Sequence, residues 1–358
     1  MSDSGSPAAK SSGSAFARNV KITLLVVALV LLPAVVMVLV TWAATGVVQG
    51  AGTWASIPAI VTIVAAFSGG RSFAVRGALI MGLLTPLAIV AGLSPVSGAA
   101  LMALLCLIVG RLSRIGLHKS GLLVPVMLAW ALIDPPAWAP ATTVNRLDTS
   151  YLIWMALIFF VGGIIPALIV PWLTRKRARP KPAAHEGSEV IVYTVMLAVL
   201  VTAATYYVLD NPQDFGGAFL IASIMVMAPI GTSETLKPTV IRVVFTVIGS
   251  VLVILLLSSV DSLLVVYLLG LLFLIVALMG RLSGLAWLYY LLMVPATAAL
   301  NATTLTQVGE LGKQRVIDNI VGGVAVIVAA VLAIGYSNWA ARRKQTDDAD
   351  PEVAALSA

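Results

Sequence analysis

The sequence predicts an all-α fold: a polytopic membrane protein with about twelve transmembrane helices in two parallel six-helix repeats. Three observations predict it: bulk apolarity, charges confined to short clusters between apolar runs, and landmarks that recur at a fixed spacing. The 358 residues are 60% hydrophobic and only 10% charged, with a mean hydropathy of +1.04. A soluble domain carries about 25% charged residues, so this chain could not cover a water-facing surface, and lipid must be the solvent for most of it.

Taken in order, residues 1–19 are rich in Ser, Gly and Ala and read as a disordered cytoplasmic leader. The apolar run after Lys21 is long enough for a retained span rather than a cleaved signal peptide. Runs bounded by Arg, Lys, Pro, Gly or Asp place a first six-span module over 20–174, with spans near 21–45, 52–69, 73–92, 98–112, 119–134 and 150–174. Residues 175–188 (RKRARPKPAAHEGS) form a basic, proline-containing cytoplasmic linker. A second module covers 189–340, with spans near 189–209, 214–231, 239–259, 263–280, 284–301 and 315–337. The polar, acidic stretch 341–358 reads as a disordered cytoplasmic tail.

Charge placement predicts the orientation. With the N-terminus inside and strict alternation, the inner segments hold nineteen of the 22 basic residues, and only Arg146, Lys313 and Arg315 fall outside. A wrong span count would scramble that separation, so it supports cytoplasmic termini and twelve crossings together. Trp42, Trp54 and Trp154 near outer ends, with Trp172 and Trp339 near inner ends, suit interfacial belts.

The repeat is legible as Gly110-Arg111-Leu112-Ser113 recurring 170 residues on as Gly280-Arg281-Leu282-Ser283. At the same offset Pro125 matches Pro295 and Asp148 matches Asp318, while Arg76 pairs with Arg242 at an offset of 166. Parallel repeats place substrate sites near the midplane between the halves, which makes transport the default class. Pro86, Pro125, Pro166, Gly249 and Pro295 interrupt spans, either for helix packing or along a cavity. The Gly-Gly pairs at 69–70, 162–163, 216–217 and 322–323 read as sites of close helix packing.

No enzyme signature is present: there is no P-loop, no HExxH helix and no Gly-x-Ser-x-Gly, so neither catalysis nor a cofactor is expected. One cysteine, Cys106, and two histidines, His118 and His185, leave no metal site or disulfide to build. Ionisable residues inside spans are costly and therefore functional suspects. The deepest are Arg76 and Arg242 on the inner side, and Arg315 and Asp318 on the outer side. Each inner arginine is either an anion-binding residue at a path mouth, where its fork would pair with a carboxylate, or a snorkelling anchor. Arg315 and Asp318, at i and i+3, form either a neutralised structural pair at a helix start or an outer gate. Glu234 is a solvated turn residue, a helix cap or a partner for Lys237. Trp130, Trp287, Tyr289 and Tyr290 lie in the two fifth spans, to pack there or to stack on an aromatic solute. No carboxylate sits at mid-depth, so the drive is either the membrane potential acting on an anion or protons taken up by Asp318 or Asp148.

Residues 214–250 (DFGGAFLIASIMVMAPIGTSETLKPTVIRVVFTVIGS) resemble the membrane module of the fusaric acid resistance and aromatic acid exporter family. The matching residues are Arg242, Thr246 and Gly249, with Phe245 where the family has Gly; Thr297 matches a Thr of its fifth span, and Arg315 followed by Gly322 matches the opening of its sixth. The first half resembles the module more faintly, through Arg76, Gly82 and Asn145-Arg146, and the large cytoplasmic domains of the bigger exporters have no counterpart here. A major-facilitator transporter would also have twelve spans, but GGRSFAVRG lacks its Asp-Arg loop.

The resemblance implies a plasma (inner) membrane transporter exporting small amphipathic or aromatic carboxylate anions. Its path candidates are Arg242, Thr246, Gly249, Arg76, Thr297, Arg315 and Asp318. The expected partners are membrane lipids and an anionic small-molecule solute, not nucleic acid, with a homo-oligomer or a periplasmic adaptor left open. The rival readings are a non-transporting membrane scaffold or accessory subunit, and a channel-like anion pore.

Overall fold

The computed structural model describes residues 8–45, 51–136, 144–175, 184–185, 187–211, 217–228, 230, 236–256, 259–301 and 305–356. The elements in chain order are α1 (Ala8–Thr45), α2 (Ala51–Ala91), α3 (Pro95–Ser113), α4 (His118–Gly121), α5 (Leu123–Ile133), α6 (Thr149–Leu173), α7 (Ser188–Asp210), α8 (Ala218–Met227), α9 (Leu236–Leu256), α10 (Leu263–Leu282), α11 (Ala286–Asn301) and α12 (Leu305–Leu356). Among the described residues seven helices are long and apolar enough to cross a membrane, within α1, α2, α3, α6, α7, α10 and α12, and four shorter apolar stretches accompany them. Leu83, Leu264 and Leu332, each more than two-thirds exposed, show the kind of surface these helices present. Lipid, not water, is the solvent that such a surface suits, and the chain is a membrane-embedded helical protein.

α2 is not one straight rod. Gly70 sits at φ 80°, ψ −169°, a conformation essentially reserved for glycine. In a continuous helix Thr62 and Gly77 would be separated by about 22 Å. Instead a Cβ on Gly77 would lie 3.9 Å from Thr62 Cγ2, and Gly163 of α6 approaches both Thr62 and Ala78. The element is a hairpin whose arms, 51–69 and 71–91, coincide with the expected spans 52–69 and 73–92.

A glycine pair in α6 enters this hairpin. A Cβ on Gly162 would fall 2.4 Å from the Ala55 carbonyl oxygen of the first arm, and one on Gly163 would fall 3.0 Å from Ala78 Cβ of the second. The second half repeats the relation: Gly322 of α12 faces Ser223 and Ile224 of α8, and Gly323 faces Val243 of α9. The close packing expected at these two pairs is found at both.

One hydrophobic core runs through α2, α3, α5 and α6 and on into α7 and α8, with Met102, Leu132, Phe159, Leu197, Ile221 and Met225 all fully enclosed. α7 and α8 therefore pack on the first half. A smaller cluster of Val253, Val266, Val294, Ala298 and Val308 ties α9 to α12 together.

Several boundaries differ from expectation. Helix α1 begins at Ala8, inside the leader expected to be disordered, and α12 runs on to Leu356 through the expected tail. Ala, Lys and Arg recur in both extensions, and propagating an established helix is cheap compared with nucleating one. α12 starts at Leu305 rather than 315, which puts Arg315 well inside it. α8 is only ten residues long, against an expected 214–231. Glu234 and most of the linker lie outside the described residues.

Candidate functional site

The half-length helix α8 spans about 15 Å, half the thickness of a bilayer core, and an arginine serves each of its ends. At its C-terminal end Arg242 of α9 donates through Nη1 to the Val226 carbonyl, one of the last carbonyls of α8 that has no partner within the helix. The same guanidinium stands 4.9 Å from the centre of the Tyr290 ring of α11. A cation at a helix C-terminus complements the dipole, so Arg242 caps α8 and joins it to α9 and α11.

At the N-terminal end of α8 the arrangement is different. Arg315 of α12 is 7% exposed, and its Cζ lies 3.5 Å from the centre of the Phe219 ring. Its Nε and Nη2 donors are buried and have no hydrogen-bond partner among the described residues. Asp318, one turn further along α12, has no exposed surface and acts electrostatically on the Arg315 guanidinium. Asn319 Nδ2 donates to the Arg315 carbonyl at 2.7 Å, and its Oδ1 accepts from Ser223 Oγ of α8 at 2.9 Å. From the first half, Trp130 of α5 sets its ring at 5.0 Å and nearly edge-on to Phe219, and its buried Nε1–H likewise has no partner among the described residues. Three elements from both halves thus enclose a cation, a carboxylate, an amide, a hydroxyl and two aromatic rings.

Chemically, Arg315 and Trp130 hold donors that have no hydrogen-bond partner among the described residues. A buried guanidinium with unused N–H groups is unfavourable by several kcal/mol unless something accepts from it. Its planar fork fits a carboxylate, and the Phe219 and Trp130 rings beside it suit an aromatic or apolar body. α8 adds the positive end of its dipole on the same side.

The remaining sequence candidates are scattered. Arg76 is exposed on the second arm of α2. Thr246 is buried in α9, and Thr297 returns its hydroxyl to the Met293 and Val294 carbonyls of its own helix. Gly249 allows α9 to meet α11, since a Cβ there would lie 2.2 Å from the Leu291 carbonyl oxygen. Asp148, exposed, caps α6 by accepting from the Ser150 amide at 3.0 Å. Arg146 binds the Leu132 and Ile133 carbonyls at 2.7 and 2.8 Å, fastening the end of α5. Trp287 packs on Phe245, and Tyr289 on Tyr290.

Sequence reading singled out Arg315, Asp318 and Trp130 but missed Phe219, Ser223 and Asn319. Phe219 and Ser223 are i, i+4 on one face of α8, and Asn319 adjoins Asp318, so spacing held a signal once α8 was known to be helical. The expected match of Asp148 with Asp318 fails in three dimensions, because one caps a helix start and the other lies inside a helix. The two glycine pairs set the register of the last helices. Counting back from them, Met155, Ile158 and Phe159 of α6 stand where α12 has Arg315, Asp318 and Asn319. All three are fully buried, so the first half has apolar core where the second half has the polar cluster.

No family model matches the chain, and neither curated proteins nor solved structures match it. Fold and site define a class by themselves: a membrane-embedded helical protein with a buried, donor-rich cation cluster where α5, α8 and α12 meet.

Proposed function

We propose that the chain is a transporter of small amphipathic carboxylate anions, aromatic ones above all, with Arg315 as the residue that receives the carboxylate. One observation carries this reading: a buried guanidinium with two donors that have no partner among the described residues, stacked on Phe219 and adjoined by Trp130, whose indole N–H likewise has none among them. The resemblance of residues 214–250 to aromatic acid exporters supports the same solute class. The proposed topology is twelve crossings in two parallel halves, counting α2 as two and α4–α5 as one, with both termini cytoplasmic in a plasma (inner) membrane. The segregation of basic residues supports it. In this orientation α8 runs inward, Arg315 sits toward the outside and Arg242 toward the inside, about 10 Å apart along α8. An inside-negative potential favours outward movement of a monoanion by about 2.3 kcal/mol per 100 mV. Asp318 is the group through which protons could couple, by competing with the solute carboxylate for Arg315; Asp148, engaged as a cap, is set aside. The first half serves as the packing frame.

The test is retention of labelled hydroxybenzoate-type acids in exporter-deficient cells expressing the chain, with Arg315→Gln and Arg242→Gln at matched membrane abundance. Faster efflux that Arg315→Gln abolishes supports the reading. Efflux untouched by Arg315→Gln overturns the assignment of that residue. Unchanged retention across a broad acid panel, with the protein inserted, overturns transport and favours a scaffold, to which the close glycine packing would then belong. Single-channel currents in a planar bilayer would make the chain an anion pore.

A further inference from the structure

We infer that the cleft between α3 and α7, at the seam of the two halves, is a binding site for a phospholipid with an anionic headgroup. The cleft encloses about 400 Å³, and its apolar walls include Leu107 and Ile108 of α3 and Ile191 and Val195 of α7. All four are about half exposed, so they face the lipid rather than the core. The helices meet at Gly110, where a Cβ would lie 2.0 Å from Thr194 Oγ1, and both residues line the cleft as its floor. Arg111, in the last turn of α3, and Arg114, its C-terminal cap, line the cleft at one end, both exposed and in no ion pair among the described residues. Two guanidinium groups with no ion pair among the described residues, at the end of an apolar slot, are complementary to a phosphate carrying acyl chains: the headgroup meets the forks, and a chain lies along the slot. Such basic pockets between helices are where membrane proteins hold anionic headgroups. A water-soluble anion would gain nothing from the apolar walls, and a zwitterionic lipid would bring no net charge to the two arginines. The inference needs only that the chain lies in a membrane and is independent of transport.

The test is native mass spectrometry of the full-length protein, with thermal unfolding alongside, in detergent supplemented with phosphatidylglycerol or phosphatidylcholine. The wild type is expected to retain phosphatidylglycerol preferentially and to be stabilised by it. The double variant R111Q/R114Q, altered only at exposed positions, should lose that preference by about thirtyfold, at about 1 kcal/mol per basic residue. Val195→Trp, which fills the slot without changing charge, should lower retention of the lipid. Equal retention of the two lipids by the wild type overturns the proposal. So does a preference that survives in R111Q/R114Q, retention unaffected by Val195→Trp, or equal stabilisation by glycerol phosphate at the same concentration.

Discussion

Arg315 and Phe219, 96 residues apart in sequence, stack with the guanidinium carbon 3.5 Å from the ring centre, inside the protein. The contact ties α12 to the start of α8 and fixes the plane of the fork. Nε and Nη2, which have no partner among the described residues, are what a solute carboxylate would take.

Arg315→Lys should therefore cost transport more than stability. The charge remains, but the planar fork and its ring stacking are lost, and an efflux decrease of about tenfold or more is expected. Efflux rates of labelled acid, with unfolding temperature measured alongside, check the split.

Asp318→Asn removes the carboxylate that competes for Arg315. Export by the variant should persist but lose its dependence on a pH gradient, because no group in the cluster would then take up a proton. Efflux at imposed pH differences and clamped potential measures this; a retained gradient dependence would refute coupling through Asp318.

The glycine pairs predict a graded series. Gly162→Val places a branched side chain against the Ala55 backbone and should cost about 3 kcal/mol, enough to impair insertion. Gly322→Ala meets Ser223 Cβ at 3.1 Å and should be milder, while Gly335→Ala, with nothing within 4 Å, should be neutral. Membrane abundance and resistance to limited proteolysis report the order.

Arg146→Gln should loosen the end of α5. It removes charge-assisted bonds to the Leu132 and Ile133 carbonyls, worth about 2 kcal/mol between them. The loss should appear in thermal unfolding and, because Trp130 lies on the same helix, as a weaker apparent solute affinity.

The sequence by itself determined the solvent and the segment plan. Apolar run length and positive clusters located nearly every helix, because in lipid a backbone must satisfy its own hydrogen bonds and a run of about 20 apolar residues has few other folds open to it. It also marked Arg315, Asp318 and Trp130, since charges and indoles within apolar runs stand out. Only the tertiary structure decided which arginine has a carbonyl partner and which has donors without one among the described residues. Arg242 and Arg315 look alike in sequence, each an arginine that follows a lysine by a few residues where an apolar run begins. What separates them is whether a neighbouring helix end supplies a carbonyl, and that depends on packing across 16 residues in one case and 96 in the other. The reversal at Gly70 and the short length of α8 were hidden for the same reason. Local composition continued the helix through the first and past the ends of the second, and the constraint came from partners distant in the chain.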